Sequence, residues 1–70
     1  MKVSYDPKVD AAYISFKKGS MQVTTIRLTE DIAVDFGPNE EIVGIEVLDA
    51  SEHLEIQKDA PRIELENILS

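Results

Sequence analysis

Few residues in this chain have side chains able to act on a substrate or hold an ion, and their spacing narrows the set further. His53 is the only histidine and cysteine is absent, so neither a histidine pair nor a thiolate centre is open to a metal. A lone histidine beside Glu52 and Glu55 reads as a solvated surface residue. Asp35, Glu46 and Asp49 supply the carboxylates a hard cation would take. The strand register worked out below sets Asp35 opposite Ile42 and Asp31 opposite Glu46, so the trio does not converge. Fourteen acidic residues in seventy produce neighbours by chance, and no metal or cofactor is assigned. There is no Gly-x-Ser-x-Gly elbow, phosphate-binding Walker loop or Gly-x-Gly-x-x-Gly turn, each of which places a nucleophile or a row of backbone N–H groups where chemistry needs it. No catalytic residue is assigned, and the chain reads as a non-enzyme.

The C-terminal stretch is more suggestive. Leu54, Glu55, Ile56, Ile63, Glu64, Leu65 and Glu66 mix apolar anchors with acidic side chains. Either this is an amphipathic end packing on its own sheet, or it docks on a basic partner, its charges steering encounter and its apolar residues anchoring the complex.

The elements that must position these groups are mostly strands. Ile32, Val34 and Phe36 alternate before Gly37-Pro38-Asn39-Glu40, and Val43, Ile45 and Val47 alternate after it. Alternation puts successive side chains on opposite faces, and the Pro-Asn pair bends the chain between them. Lys2 to Asp6, Ala11 to Lys17 and Val23 to Thr29 show the same period, with turn signals at Asp6-Pro7-Lys8 and Lys18-Gly19-Ser20. Pairing Tyr5 with Ala12, Val3 with Ile14, Leu28 with Ile32, Ile26 with Val34, Val34 with Val43 and Ile32 with Ile45 puts every apolar set on one face. A slip of one residue would scatter them. The opposite face carries Ser4, Tyr13, Ser15, Thr25, Arg27, Ala33, Asp35, Ile42, Gly44, Glu46 and Leu48.

Asp49-Ala50-Ser51-Glu52 has the form of a capping box, Asp49 accepting a backbone N–H and Glu52 reaching back. It opens a short helix over 50–57 with Leu54 inward, although Leu54 and Ile56 also fit a strand. Pro61 forces a break. The last residues alternate like a strand at Arg62 to Glu66 and space like a helix at Leu65, Ile68 and Leu69.

Seventy residues make one small domain without a disulfide, and such scaffolds often gain stability by oligomerising. A homodimer is therefore expected. The net charge of −7 argues against direct nucleic-acid binding, which draws its affinity from Lys and Arg on phosphates. No apolar run reaches the roughly 20 residues of a membrane helix, and the N-terminus lacks a signal-peptide core. A cytoplasmic protein with no membrane contact is expected.

Two groups of residues resemble a known family. Tyr5-Asp6-Pro7, Asp10-Ala11 and Tyr13-Ile14 are similar to its opening motif. Val34-Asp35-Phe36, followed by Val43-Gly44-Ile45-Glu46-Val47-Leu48-Asp49-Ala50-Ser51, is similar to its signature. This is the bacterial and archaeal domain-of-unknown-function family 2283, and the resemblance covers residues 2 to about 54. Glu40 departs from it, since the family's turn often has Gly there. The resemblance implies a small β-rich fold and no established activity. Some members are encoded beside small toxin-like proteins of the RelE type, which implies an antitoxin role for those members. No binding or catalytic residue carries over.

The expectation is an α+β fold in a single domain over 1–70. A five-stranded antiparallel β-meander (2–49) leads into one short helix (50–57) and a C-terminal extension (58–70). Its expected function is a protein-interaction module, most concretely an antitoxin-like acidic partner of a small basic protein. The alternative is a small-molecule or metal-binding domain using the exposed sheet face around Asp35 and Glu46.

Overall fold

The computed structural model describes residues 1–19 and 22–62. Five strands and one helix follow in order: β1 (Lys2–Asp6), β2 (Ala11–Ser15), β3 (Thr24–Arg27), β4 (Ile32–Phe36), β5 (Ile42–Leu48) and α1 (Ala50–His53). The strands make one antiparallel sheet in the order β1-β2-β5-β4-β3. The expected antiparallel sheet and short helix are present.

The strand order is not that of a meander. β2 pairs with β5, and β3 lies at the far edge beyond β4. Strands β2 to β5 thereby form a Greek key, because the strand preceding three hairpin-connected ones lies beside the last of them. Burial gives the reason. β5, IVGIEVL, is the longest and most apolar strand, and it buries Val43, Gly44 and Val47. A central place gives it a neighbour on both sides. β3, TTIR, has no buried residue and loses least at an edge.

Two apolar rows cross the sheet on one face. Val3, Ile14, Ile45, Val34 and Ile26 form the first, and Tyr5, Ala12, Val47 and Ile32 form the second. The registers of the β1–β2 and β3–β4 hairpins are as expected, with Tyr5 opposite Ala12 and Ile26 opposite Val34. The β4–β5 hairpin differs by two residues: Val34 faces Ile45 and Ile32 faces Val47. One residue comes from the turn, which runs to Glu41 and closes with the Gly37 N–H donating to the Glu41 carbonyl at 2.8 Å. The other comes from a register shift between Asp35 and Phe36. Beyond that shift the two single-residue departures add to two, so Ile32 and Val34 still meet apolar residues, whereas Phe36, before it, stands opposite Ile42. In that turn Asn39 and Glu40 are both left-handed, at φ 61° and 59°. A Cβ at Glu40 is strained there, whereas Gly is not.

The core is small. Ala12, Val47, Ala50 and Ile56 cluster, with Tyr5, Ile32 and Ile45 packed against them. This places α1 over one end of the apolar face. The helix ends at His53 rather than Gln57, because Glu55 turns left-handed at φ 55°, a common way to stop a helix. Leu54, expected inward, is 38% exposed, and Ile56 takes the inward place at 5%. Of the expected strand over Arg62 to Glu66, Arg62 is described and lies in no strand; the rest of it and the alternative helix at Leu65, Ile68 and Leu69 lie outside the described residues.

Candidate functional site

The polar face of the sheet is built from two further rows. Ser4, Tyr13, Glu46, Ala33 and Arg27 make one, and Ser15, Gly44, Asp35 and Thr25 make the other. Two long side chains each cross a position occupied by a small residue. The Tyr13 hydroxyl donates to Asp35 Oδ2 at 2.7 Å, lying over Gly44, where an added Cβ would overlap the phenol hydroxyl and Cζ. Arg27 reaches past Ala33 to Glu46 Oε1 at 3.1 Å, its other nitrogen donating to the Glu30 carbonyl at 3.0 Å. Thr25 Oγ1 donates to the second Asp35 oxygen at 2.5 Å. The hydrogen bond to Asp35, with burial and the nearby Glu46 charge, pushes the Tyr13 phenol up to about 12.

The corrected register thus makes Asp35 and Glu46 diagonal neighbours on a common face, in place of the expected Asp35–Ile42 and Asp31–Glu46 oppositions. Asp49 stands apart at the β5–α1 junction, left-handed at φ 50°. Among the described residues no three His, Asp or Glu side chains come together in a way that would hold a metal ion. Tyr13, Thr25, Arg27, Asp35 and Glu46 are each held by another group.

A second cluster ties the β1–β2 turn to α1. Asp10, left-handed at φ 52° in the β1–β2 turn, points its carboxylate at the start of α1. Oδ1 accepts the Tyr5 hydroxyl at 2.7 Å and the Ser51 N–H at 2.9 Å, and Oδ2 accepts the Ser51 hydroxyl at 2.7 Å. The Asp10 carbonyl also accepts the Ala50 N–H at 2.9 Å. Lys58 approaches Oδ2 at 3.9 Å. The Ser51 hydrogen bond comes first among the causes that hold the Asp10 carboxyl below its ordinary value. Desolvation, then the Asp10 hydrogen bond, pushes the Tyr5 phenol up to about 12.

Asp10 therefore caps the helix, a correction to the expected capping box. Asp49 makes no side-chain cap bond. Its left-handed backbone turns β5 into α1 and leaves the helix N-terminus facing the β1–β2 turn. The only sequence sign of this role was the recurrence of Asp10-Ala11 and Asp49-Ala50-Ser51 in one pair of motifs.

His53 closes the same end. Its Nε2 lies 2.9 Å from Asp31 Oδ2, and this contact raises the imidazole above its ordinary value. Reading it as merely solvated missed a contact between residues 22 positions apart. Of the residues assigned to partner docking, Leu54 and Glu55 are exposed beside Glu52, and Ile56 belongs to the chain's own core. Ile63, Glu64, Leu65 and Glu66 lie outside the described residues. No helix among the described residues is long and apolar enough to cross a membrane.

Residues 2–51 match the family described as Protein of unknown function (DUF2283). The chain is also similar to "Uncharacterized protein MJ0789" of Methanocaldococcus jannaschii, with 36% identity over 58 residues. That alignment covers 83% of this chain and 48% of the relative, so the chain spans about half the length of the curated relative it matches. No solved structure matches the chain.

Proposed function

The chain belongs to the DUF2283 family, and we propose that it is a non-enzymatic, cytoplasmic protein-interaction module, an antitoxin-like partner of a small basic protein. The observation that carries this reading is Leu54, 38% exposed directly after α1 and flanked by the exposed Glu52 and Glu55. An apolar anchor with two acidic neighbours in sequence suits a basic surface with a hydrophobic pocket: charge speeds encounter, and the desolvated anchor holds the complex. The net charge of −7 supports the same choice of partner. The alternative, a ligand on the polar sheet face, is not favoured, because Tyr13, Thr25, Arg27, Asp35 and Glu46 already bond to one another or to the backbone.

The test is a search for a small basic protein encoded beside this chain and, with one found, co-expression of the two followed by size exclusion at low and high salt. A complex that forms at low salt, weakens at high salt and is lost in Leu54→Asp supports the reading. A genome with no such neighbour, or a complex indifferent to Leu54, refutes it.

A further inference from the structure

Independently of that partner, we infer that two copies of this chain join through their β3 strands, antiparallel about a two-fold axis at Ile26. The pairing follows from three features of that edge. The first is the direction of its backbone groups. The Leu28 N–H donates to the Ile32 carbonyl at 2.8 Å, and Leu28 and Ile32 stand opposite in the register that pairs Ile26 with Val34. Hydrogen-bonded and non-bonded pairs alternate along an antiparallel ladder. Ile26 therefore bonds to β4, and the N–H and C=O of Thr25 and Arg27 point away from the sheet. No strand among the described residues takes them up.

The second feature is the lack of protection. β1, the other edge, has Lys2 and Asp6 at its ends and Pro7 directly after it, devices that discourage strand addition. The stretch Val23 to Thr29, VTTIRLT, has no proline and no acidic residue. Its one charge, Arg27, is turned to the polar face and held by Glu46. In a chain with fourteen acidic residues, this edge is where a second acidic copy meets no carboxylate.

The third feature is self-complementarity. An axis at Ile26 sets Ile26 against the partner's Ile26, Thr24 against the partner's Leu28, and Thr25 against the partner's Arg27. The outward groups of Thr25 and Arg27 then bond across the axis. Ile26, 48% exposed in one chain, meets its equivalent at the axis, Leu28, 62% exposed, lies over the partner's Thr24, and the apolar face continues across both sheets. A slip of one residue would lose all of this, and a slip of two would set Arg27 against the partner's Arg27 in one direction or Ile26 against the partner's Thr24 in the other, so the axis at Ile26 is favoured.

Sedimentation and hydrogen exchange on the full chain test the proposal. We expect a species of twice the 7.8 kDa chain mass. Thr25 and Arg27 amide protection should rise with concentration, while Ile26 and Leu28 stay protected throughout. Ile26→Lys and Ile26→Glu each set like charges against each other at the axis and should weaken the dimer by about tenfold or more. Mixing the two should restore it as a heterodimer. A single-chain mass at every concentration overturns the proposal. So does concentration-independent protection of Thr25 and Arg27, which would put another segment of the same chain on the edge. Variants that stay dimeric alone, or fail to pair when mixed, overturn the axis at Ile26. The exchange measurement on the unaltered chain stands even where a variant fails to fold.

Discussion

Gly44→Ala isolates the packing of the polar sheet face. A methyl group at this position would overlap the Tyr13 hydroxyl and Cζ and lie 2.7 Å from Cε2. The Gly44 backbone sits in a central strand between β2 and β4 and resists moving, so the phenol must swing away. It then gives up its 2.7 Å bond to Asp35. A hydrogen bond to a charged group contributes about 1.5–3 kcal/mol, and partial exposure argues for the lower end. Replacing Gly by Ala returns roughly 0.4–1 kcal/mol by restricting the unfolded chain. The net loss is about 1 kcal/mol, which in a domain of this size lowers Tm by roughly 4–8 °C.

Thermal unfolding of four proteins measures it: the parent, Gly44→Ala, Tyr13→Val and the double variant. In the Tyr13→Val background the methyl meets no ring, so Gly44→Ala should become neutral or stabilising, a change of sign. A spectroscopic readout runs in parallel. Both tyrosines are held up to about 12, so the parent should show no phenol ionising near 10, and Gly44→Ala should release one. The raised Tyr13 value favours the protonated phenol in the folded state. That contribution is complete below pH 10 and disappears as pH climbs through about 12. A Gly44→Ala protein as stable as its parent, or equally destabilised with and without the Tyr13 ring, would refute the reasoning.

Further outcomes follow from the α1 end. Ile56→Ala should cost about 2–5 kcal/mol in chemical denaturation, as expected for a buried isoleucine, and Leu54→Ala should stay within about 0.5 kcal/mol. Equal effects would mean that the assignment of inward and outward residues is reversed. Asp10→Asn leaves Tyr5 or Ser51 without a full acceptor, so it should lower Tm and bring the Tyr5 phenol down in a spectrophotometric titration. Because the Asp10 value is depressed on folding, its contribution is present above about pH 3.8 and disappears as pH falls below it. Acid unfolding of Asp10→Asn should therefore be less steep than that of the parent. The raised His53 value has the opposite sign: its contribution is complete below pH 6.5 and fades as pH rises through the higher folded-state value. His53→Gln should flatten the stability profile from pH 6 to 8, and an NMR titration of the ring should show the raised value directly.

Much of this fold is legible in the residues themselves. The two tight hairpins follow from local chemistry, since a short turn with Asp6-Pro7 or Thr29 to Asp31 leaves few registers and alternation selects among them. The facing of Ile32, Val34, Ile45 and Val47 survives even the two-residue difference in the β4–β5 hairpin, because a period of two tolerates an even shift. Strand order is another matter. Every arrangement of five such strands puts the same side chains on one face, so alternation does not distinguish β2 beside β3 from β2 beside β5. That choice rests on how much each strand gains from two neighbours, a property of the assembled sheet. The same holds for the Asp10 cap, the His53–Asp31 contact and the Tyr13–Asp35 bond. Each joins residues more than twenty positions apart, and each exists only because β2 and β5 are adjacent or because α1 folds back over them. Sequence by itself determined the strands, their faces and the acidic character of the chain. Tertiary structure alone decided which polar groups meet, because long-range contacts depend on a strand order that no local pattern encodes.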